Sequence, residues 1–143
     1  MYVKQISVFI ENQPGKLAAF SELLGREGID LVALSIADTT NFGILRCIVC
    51  DYERAVETIN ASGHTARLTD VLAVSVPDKP GGMAKAVRVL TDEGISIEYL
   101  YSFVRSTGNN ALLIFRVEEI EKAEKALAEA GFTMITQEQV GSL

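Results

Sequence analysis

Two Pro-Gly turns in the sequence could bind a carboxylate group. One lies at residues 14–15 and the other 66 positions later at residues 80–81, and each follows an apolar run and precedes a predicted helix. The first backbone N–H groups of a helix have no intrahelical acceptor and carry the positive end of the helix dipole, so they favour an anion. Asn12 offers a donor and an acceptor, and Asp78 could pair with an ammonium group. This combination fits an α-amino acid; the alternative is a tight turn in which Asn12 and Asp78 only cap the helix.

The other reactive side chains do not form a catalytic or metal-binding set. Cys47 and Cys50 form a C-x-x-C motif inside a predicted strand, where residues three apart point to opposite faces. We therefore expect two buried packing cysteines, and neither a disulfide nor a shared metal. His64 is the single histidine, and its place at the start of a predicted strand favours packing over catalysis. No catalytic residue, metal or cofactor is predicted.

The elements that position the two turns occur twice in the same order. The first half is predicted to contain strand, helix, strand, strand, helix and strand, at residues 3–10, 16–27, 31–37, 44–50, 52–61 and 64–68. The second half repeats this order at residues 71–76, 82–93, 97–104, 111–117, 120–130 and 132–138. We therefore predict two domains, at residues 1–69 and 70–143.

The duplication is visible residue by residue. At an offset of 66, Val8 aligns with Val74, and the tripeptide at residues 27–29 (Glu-Gly-Ile) aligns with the same tripeptide at residues 93–95; later in each copy the offset is 68. A register that holds across helices, strands and turns is the mark of an internal repeat. Each predicted helix has one apolar face, so both helices of a copy should lie on one face of an antiparallel sheet. The fold class is α+β: two ferredoxin-like βαββαβ repeats packed side by side.

The second strand of each copy lies at a sheet edge in this topology. These strands, at residues 31–37 and 97–104, are apolar and contain neither proline nor lysine. Exposed edges of this kind promote aggregation unless they are covered. We expect each edge to be covered, specifically by pairing with another copy in the same chain or in a second chain.

Residues 6–34 and their counterpart resemble an ACT domain. The first copy contains Ile-Ser-Val-x-Ile-Glu-Asn-Gln-Pro-Gly-x-Leu and, about twelve residues later, Glu-Gly-Ile-Asp-Leu; more narrowly, it resembles the ACT domain of the regulatory subunit of acetolactate synthase. The second copy, at residues 77–83 and 93–97, matches the broader ACT pattern. The chain thus resembles a stand-alone tandem ACT protein.

The resemblance implies a small ligand, most often an amino acid, bound between the turn of one domain and the second-strand edge of a partner domain. It implies ligand contacts at Asn12, Gly15 and Asp30 in the first copy, where the acetolactate synthase subunit has asparagine instead of Asp30. That difference argues against valine, the effector of that family. The wider set of implied contacts comes from both turns, the residue before each edge strand and the edge strands themselves: Asn12, Gln13, Pro14, Gly15, Leu17, Asp30, Leu34, Ser35, Ile36, Asp78, Lys79, Pro80, Gly81, Gly82, Met83, Ser96, Leu100, Tyr101, Ser102 and Phe103.

Composition and charge are those of a soluble cytoplasmic protein. Apolar residues make up 48% and charged residues 22%, a balance that can build a core. The net charge is −6 and the lysines and arginines are scattered, which argues against nucleic acid and anionic membranes as partners. The N-terminus has no basic segment followed by an apolar block, so no signal peptide is expected.

The function predicted is that of a non-catalytic, amino-acid-binding regulatory protein. The partners would be the amino acid, a second copy in a homodimer, and a regulated metabolic enzyme. Two alternatives remain: an assembly subunit of a metabolic enzyme whose pockets bind no ligand, and a small enzyme on a ferredoxin-like fold, since a fold does not fix a function.

Overall fold

A computed structural model describes residues 2–38, 41–105 and 108–143. The chain divides into two compact units. We refer to Lys4–Thr69 as the N-terminal unit, and to Asp70–Leu143 with the start of the chain up to Val3 as the C-terminal unit.

The N-terminal unit is a sheet with two helices on one face. Its elements are β1 Val3–Glu11, α1 Lys16–Arg26, β2 Leu31–Asp38, β3 Phe42–Val49, α2 Tyr52–Ala61 and the first residues of β4 Ala66–Pro77. The strand order is β2-β3-β1-β4, and β3 is antiparallel to both β1 and β2, so that β2 lies at an edge. Ile6, Val8 and Ile10 of β1 pack with Phe20 of α1 and Ile59 of α2 in one core. Because alternate strand residues share a face, both helices cover the same face of the sheet.

The C-terminal unit repeats this arrangement. It contains β4 from Asp70 onward, followed by α3 Gly82–Asp92, β5 Ile97–Ser102, β6 Asn110–Val117, α4 Ile120–Glu129, β7 Thr133–Ile135 and α5 Gln137–Val140. The strand order is β7-β4-β6-β5, and each strand is antiparallel to its neighbour in this order. Its core joins Leu72, Val74 and Val76 of β4 to Leu90 of α3 and Leu127 of α4. The predicted βαββαβ order with helices on one face is confirmed in both units.

The same long-range hydrogen bond joins the two helices in each unit. Arg54, in the first turn of α2, donates from Nη2 to the carbonyl oxygen of Glu27, the C-cap residue of α1. Lys122, in the first turn of α4, donates from Nζ to the carbonyl oxygen of Glu93, the C-cap residue of α3, at 2.8 Å. Carbonyls at the end of a helix lack intrahelical partners, so a cation there makes a charge-assisted bond. The sequence duplication therefore extends to a tertiary contact.

Several predicted strand boundaries are wrong. The separate strands expected at residues 64–68 and 71–76 form one strand, β4. No glycine or proline interrupts residues 66–76, so the backbone has no local reason to leave the extended conformation. The strand predicted at residues 97–104 ends earlier, at Ser102.

The strand predicted at residues 132–138 is also wrong, because its second half is helical. β7 covers only Thr133–Ile135, and α5 follows at Gln137–Val140. The Thr136 hydroxyl accepts the N–H of Gln139 at 3.3 Å, and the Gln139 side-chain oxygen accepts the N–H of Thr136 at 2.8 Å. This reciprocal capping box begins a helix and ends the strand.

We expect alanine at Gly82, the buried first residue of α3, to destabilise the protein. Alanine usually stabilises a helix relative to glycine, but here the added Cβ would lie 2.0 Å from the carbonyl oxygen of Pro77. The backbone would have to shift, at a cost of about 1–3 kcal/mol or more in the free energy of unfolding. Urea unfolding followed by circular dichroism measures the change.

The matched control is Lys16→Ala, because Lys16 is the aligned residue of the first copy and is exposed. Its free energy of unfolding should change by no more than about 0.5 kcal/mol. A Gly82→Ala variant as stable as the unsubstituted protein would contradict the close contact with Pro77.

Candidate functional site

The first Pro-Gly turn is held by backbone hydrogen bonds at both ends. The N–H of Asn12 donates to the carbonyl oxygen of Asn41 at 3.0 Å, which ties the turn to the residue before β3. The N–H of Lys16 donates to the carbonyl oxygen of Gln13 at 3.2 Å and closes the turn at the start of α1. The side chains of residues 12–17 are all exposed.

The second turn makes the equivalent bonds. The N–H of Asp78 donates to the carbonyl oxygen of Asn109 at 2.9 Å, and the N–H of Gly82 donates to that of Lys79 at 3.0 Å. The residues at positions 78–81 are exposed and Gly82 is buried. The two turns thus share one backbone structure while their side chains differ.

A glycine in the left-handed conformation is the N-cap residue of both helices. Gly15 has φ 89° and Gly81 has φ 87°, and within the described residues neither helix start has a side-chain cap hydrogen bond. The suggestion that Asn12 and Asp78 cap these helices is therefore wrong. Glycine is required by the positive φ itself, because a Cβ is strained there. The N–H of the first residue of each helix is already bonded within its turn, so only the N–H groups that follow it could donate to a ligand.

The first turn borders a cleft of about 110 Å³ within the N-terminal unit. Its walls include four of the predicted contacts, Asn12, Gln13, Leu17 and Ile36, together with Ile10, Glu11, Gly43 and Leu45. The sequence analysis missed Gly43, although a glycine opposite an edge strand is a recognisable sign of close approach. A Cβ at Gly43 would lie 3.2 Å from Cγ2 of Ile36. The structure thus brings the turn close to the β2 edge of its own unit.

The edge strand β2 presents apolar side chains that its own unit does not bury. Leu34 is 40% exposed and Ile36 is 45% exposed. They lie opposite Cys47 and Leu45, two core residues, so they point to the helix-covered face. Ser35 is half-buried and points to the other face. Only alternate residues of the predicted β2 set can therefore face one ligand.

The predicted contacts of the second copy are less completely brought together. Met83 is 47% exposed, whereas Leu100 packs against the core and Phe103 is buried. Tyr101 is half-buried and lies on the opposite face from Leu100 and the exposed Ser102. This half of the predicted site therefore contains more packing residues than the first.

The residues before the two edge strands have different surroundings. Asp30 is exposed next to β2. Ser96 is exposed before β5 and lines a separate, shallow cleft of about 430 Å³ with Thr91, Gly94, Ile95 and Ile97.

His64 has the packing position that its sequence context predicts. Its ring lies edge-on to that of Phe20, with 5.5 Å between the ring centroids.

Within residues 2–38, 41–105 and 108–143, no group of three or more histidine, cysteine, aspartate or glutamate residues could hold a metal ion. None of the helices in these ranges is long and apolar enough to cross a bilayer.

The two cysteines are in unlike environments. Cys47 is buried in the core, and burial raises the pKa of its thiol to about 12. Cys50 is exposed, so the prediction of two buried cysteines is wrong for this residue. The reason is that β3 ends at Val49, one residue earlier than predicted.

The fold is a pair of ferredoxin-like βαββαβ units, each with a Pro-Gly turn before its first helix. The sequence profile of the ACT domain pair matches residues 1–143. The chain therefore belongs to the ACT domain pair family.

Solved structures share this fold. Protein BT0572 from Bacteroides thetaiotaomicron has a TM-score of 0.92 and 36% sequence identity, over 100% of this chain and 98% of that chain. The ligand-free regulatory subunit of aspartate kinase from Thermus thermophilus has a TM-score of 0.67 and 22% identity, over 92% of this chain and 94% of that chain. The corresponding subunit from Thermus flavus has a TM-score of 0.62 and 22% identity, over 91% and 93%. A comparison with curated proteins found no match.

We expect one fast-reacting thiol in the folded protein. Cys50 is exposed, whereas Cys47 is buried. The raised pKa of Cys47 keeps its side chain protonated at pH 8, and the protonated thiol does not react. Ellman's reagent should therefore label one cysteine per chain rapidly, and both after unfolding in guanidinium chloride. The fast reaction should disappear in Cys50→Ser and persist in Cys47→Ser. Two fast thiols in the folded protein would show that Cys47 is accessible.

Proposed function

We propose that the protein is a non-catalytic regulatory ACT pair that binds an amino acid at its β1–α1 turn. The observation that carries the proposal is the left-handed glycine N-cap of α1, which has no side chain to cap the N–H groups of Leu17 and Ala18, and Leu17 lines an exposed cleft. The N–H of Lys16 is already bonded to Gln13. Uncapped N–H groups at the start of a helix bind a carboxylate by charge-assisted hydrogen bonds, with no need for a cationic side chain.

The walls of the cleft suit the rest of an amino acid. The Asn12 amide offers both a donor and an acceptor for the α-amino and carboxylate groups. Leu17 is 43% exposed and Ile36 is 45% exposed, and both line the cleft. These two side chains would contact an apolar ligand side chain and would lose solvent-exposed area when it binds.

The site is completed, in this proposal, by the β2 edge of a partner ACT domain in a homodimer. The cleft of about 110 Å³ is below the range of about 300–1,000 Å³ usual for small-molecule sites. A second surface placed over the exposed Leu34 and Ile36 would enclose the ligand and cover the edge strand at the same time. The narrower resemblance of residues 6–34 to the acetolactate synthase regulatory subunit belongs to this proposal as well, with Asp30 arguing against valine as the effector.

The second turn would form a weaker or different site. Asp78 replaces Asn12, so it could accept from an α-ammonium group but would repel a carboxylate. Lys79, Pro80 and Gly81 are exposed in the same backbone geometry, which leaves the helix N–H groups accessible. The ligand affinities of the two turns should therefore be unequal.

Regulation would follow from a difference in ligand affinity between two states of assembly. An amino acid that binds the paired domains more tightly than the separate ones shifts the population toward pairing, and a partner enzyme would sense that shift. The Thermus thermophilus and Thermus flavus proteins of the same fold are regulatory subunits of aspartate kinase. An enzyme of amino-acid metabolism in the cytoplasm is accordingly the partner class that we propose.

We expect at least one of the twenty common amino acids to raise the melting temperature at millimolar concentration. A ligand that binds only the folded state stabilises it by mass action. A thermal-shift screen followed by calorimetry measures the stabilisation. Asn12→Ala should reduce it, while Asp78→Ala should leave the first site intact.

If none of the twenty amino acids binds but the protein still associates with a partner enzyme, the assembly-subunit alternative replaces the amino-acid sensor. Turnover of an amino acid would instead indicate an enzyme.

We expect Ile36→Lys to prevent pairing of the β2 edge. A lysine on an edge strand opposes strand addition, and the substituted side chain is already 45% exposed, so the fold should survive. Sedimentation velocity should show a monomer for Ile36→Lys. Ala128→Lys, on an exposed position of α4, is the control and should keep the assembly state of the unsubstituted protein. Unchanged assembly in Ile36→Lys would exclude β2 as the interface.

A further inference from the structure

A second cleft lies beside the last residues of β1, also within the N-terminal unit. Its volume is about 320 Å³, within the range of about 300–1,000 Å³ typical of small-molecule sites. It is lined by the end of β1, the start of α1, the start of β3 and the connection from α2 to β4: Phe9, Ile10, Glu11, Lys16, Phe42, Gly63, His64 and Thr65. It shares only Ile10 and Glu11 with the cleft at the turn.

Two exposed phenylalanines form one wall of this cleft. Phe9 is 57% exposed and Phe42 is 46% exposed. Phe9 lies opposite Ile44, and Phe42 lies opposite Glu11, so the two rings are diagonal neighbours on the same face of the sheet. Two aromatic side chains on one face offer a surface on which a ring or a large apolar group can pack.

The lining of the cleft also carries a cation and hydrogen-bond acceptors. Lys16 Nζ lies 3.9 Å from Glu11 Oε2, and both side chains are about half exposed. The Ser62 hydroxyl lies 2.6 Å from the carbonyl oxygen of Ile59 and 2.9 Å from Nδ1 of His64. We assign the hydroxyl as the donor to Ile59, which makes the Nδ1–H of His64 the donor to Ser62 Oγ. In the neutral ring this tautomer leaves Nε2 as an acceptor.

The charges of the cleft match a zwitterion better than a ligand of single charge. One ammonium (Lys16) and one carboxylate (Glu11) line it at 3.9 Å from each other, so a ligand with one group of each sign can pair with both, whereas a ligand of one sign faces a like charge. A phosphate or a nucleotide would instead face the Glu11 carboxylate. A ligand ammonium can donate to Glu11 and to Nε2 of His64, while a ligand carboxylate can accept from Lys16 and from the Thr65 hydroxyl.

The second copy does not carry the same chemistry. The residues aligned with Phe9, Lys16, Phe42 and His64 are Ser75, Gly82, Asn110 and Phe132. The backbone is duplicated, but the aromatic pair, the cation and the imidazole are present only in the first copy. The cleft is therefore a feature of one domain and does not follow from the fold that both share.

We propose that this cleft is a second amino-acid site, specific for an L-amino acid with an aromatic or large apolar side chain. The ligand side chain packs on Phe9 and Phe42, its ammonium group binds Glu11 and His64, and its carboxylate binds Lys16 and Thr65. This site is separate from the one at the Pro-Gly turn and does not depend on a partner domain.

The test is a titration of the isotope-labelled full chain with L-phenylalanine, followed by two-dimensional ¹H–¹⁵N spectra. The amide signals of Gly63, His64 and Thr65 should shift. Two analogues test the zwitterion: 3-phenylpropionate lacks the ammonium group and phenethylamine lacks the carboxylate. Each should bind at least about tenfold more weakly, because one charge-assisted contact is lost. Equal affinity for 3-phenylpropionate would overturn the zwitterion assignment.

Variants that introduce the aligned residues of the second repeat into the first test the aromatic wall. Phe9→Ser and Phe42→Asn should each weaken L-phenylalanine binding about tenfold, and Asn110→Ala, at the position aligned with Phe42, should leave it unchanged. If Phe9→Ser does not fold, as judged by circular dichroism, Phe42→Asn and the shift map decide. Unchanged affinity in Phe42→Asn would overturn the proposal.

The shift map also separates this site from the one at the turn. Shifts at residues 63–65 without shifts at residues 12–15 would support the second site and would show that the turn does not bind L-phenylalanine. Shifts confined to residues 12–15 would overturn the second site and leave the proposed function standing. The absence of shifts in both segments at millimolar L-phenylalanine would overturn the second site, whereas the turn would still be decided by the other amino acids.

Discussion

The left-handed glycine between each first strand and its helix is the constraint on which both units depend. A φ near +90° turns the chain sharply enough for the helix to pack back on the sheet it has just left. The same residue is the N-cap, and glycine has no side chain with which to satisfy the first N–H groups. The turn that builds the fold therefore also leaves the N–H groups that follow the bonded ones of Lys16 and Gly82 without a side-chain cap. Structure and binding capacity come from a single backbone conformation.

The second constraint is the width of the sheet relative to the helices that cover it. In the N-terminal unit the helix-covered face includes Leu34 and Ile36, yet both remain exposed because they lie on the edge strand. In the C-terminal unit the corresponding residues are Leu100, which packs against the core, and Ser102, which is polar. The first edge thus has more apolar area to gain by pairing than the second. This difference is independent of the turns, and it gives the two copies unequal roles in any assembly.

The sequence was sufficient to predict the order of the elements, because helix periodicity, glycine positions and the internal repeat agree with one another. The prediction failed where a short local signal, such as a helix cap, conflicted with a longer strand pattern. Residues 136–139 contain a capping-box signature, Thr-x-x-Gln, which starts a helix. The strand pattern that precedes this signature predicts a strand that continues to residue 138. Cys50 was predicted as buried because the end of β3 was placed one residue too late. The close approach of Ile36 to its own turn depends on the missing side chain of Gly43, a tertiary effect that strand and turn propensities do not reveal.

The two copies share equivalent backbone hydrogen bonds, whereas many of their side chains differ. Steric contacts limit which side chains each copy can carry. Arg54 and Lys122 differ in chemistry but donate to equivalent carbonyls. At the start of the first helix, however, the first copy has a lysine while the second admits only glycine, because the Pro77 carbonyl occupies the space of a Cβ at Gly82. The second copy can therefore place no cation at that helix position, and the cation of its turn is Lys79. The first copy is free of this restriction, so it can carry Lys16 at the start of α1, beside Glu11 at the end of β1.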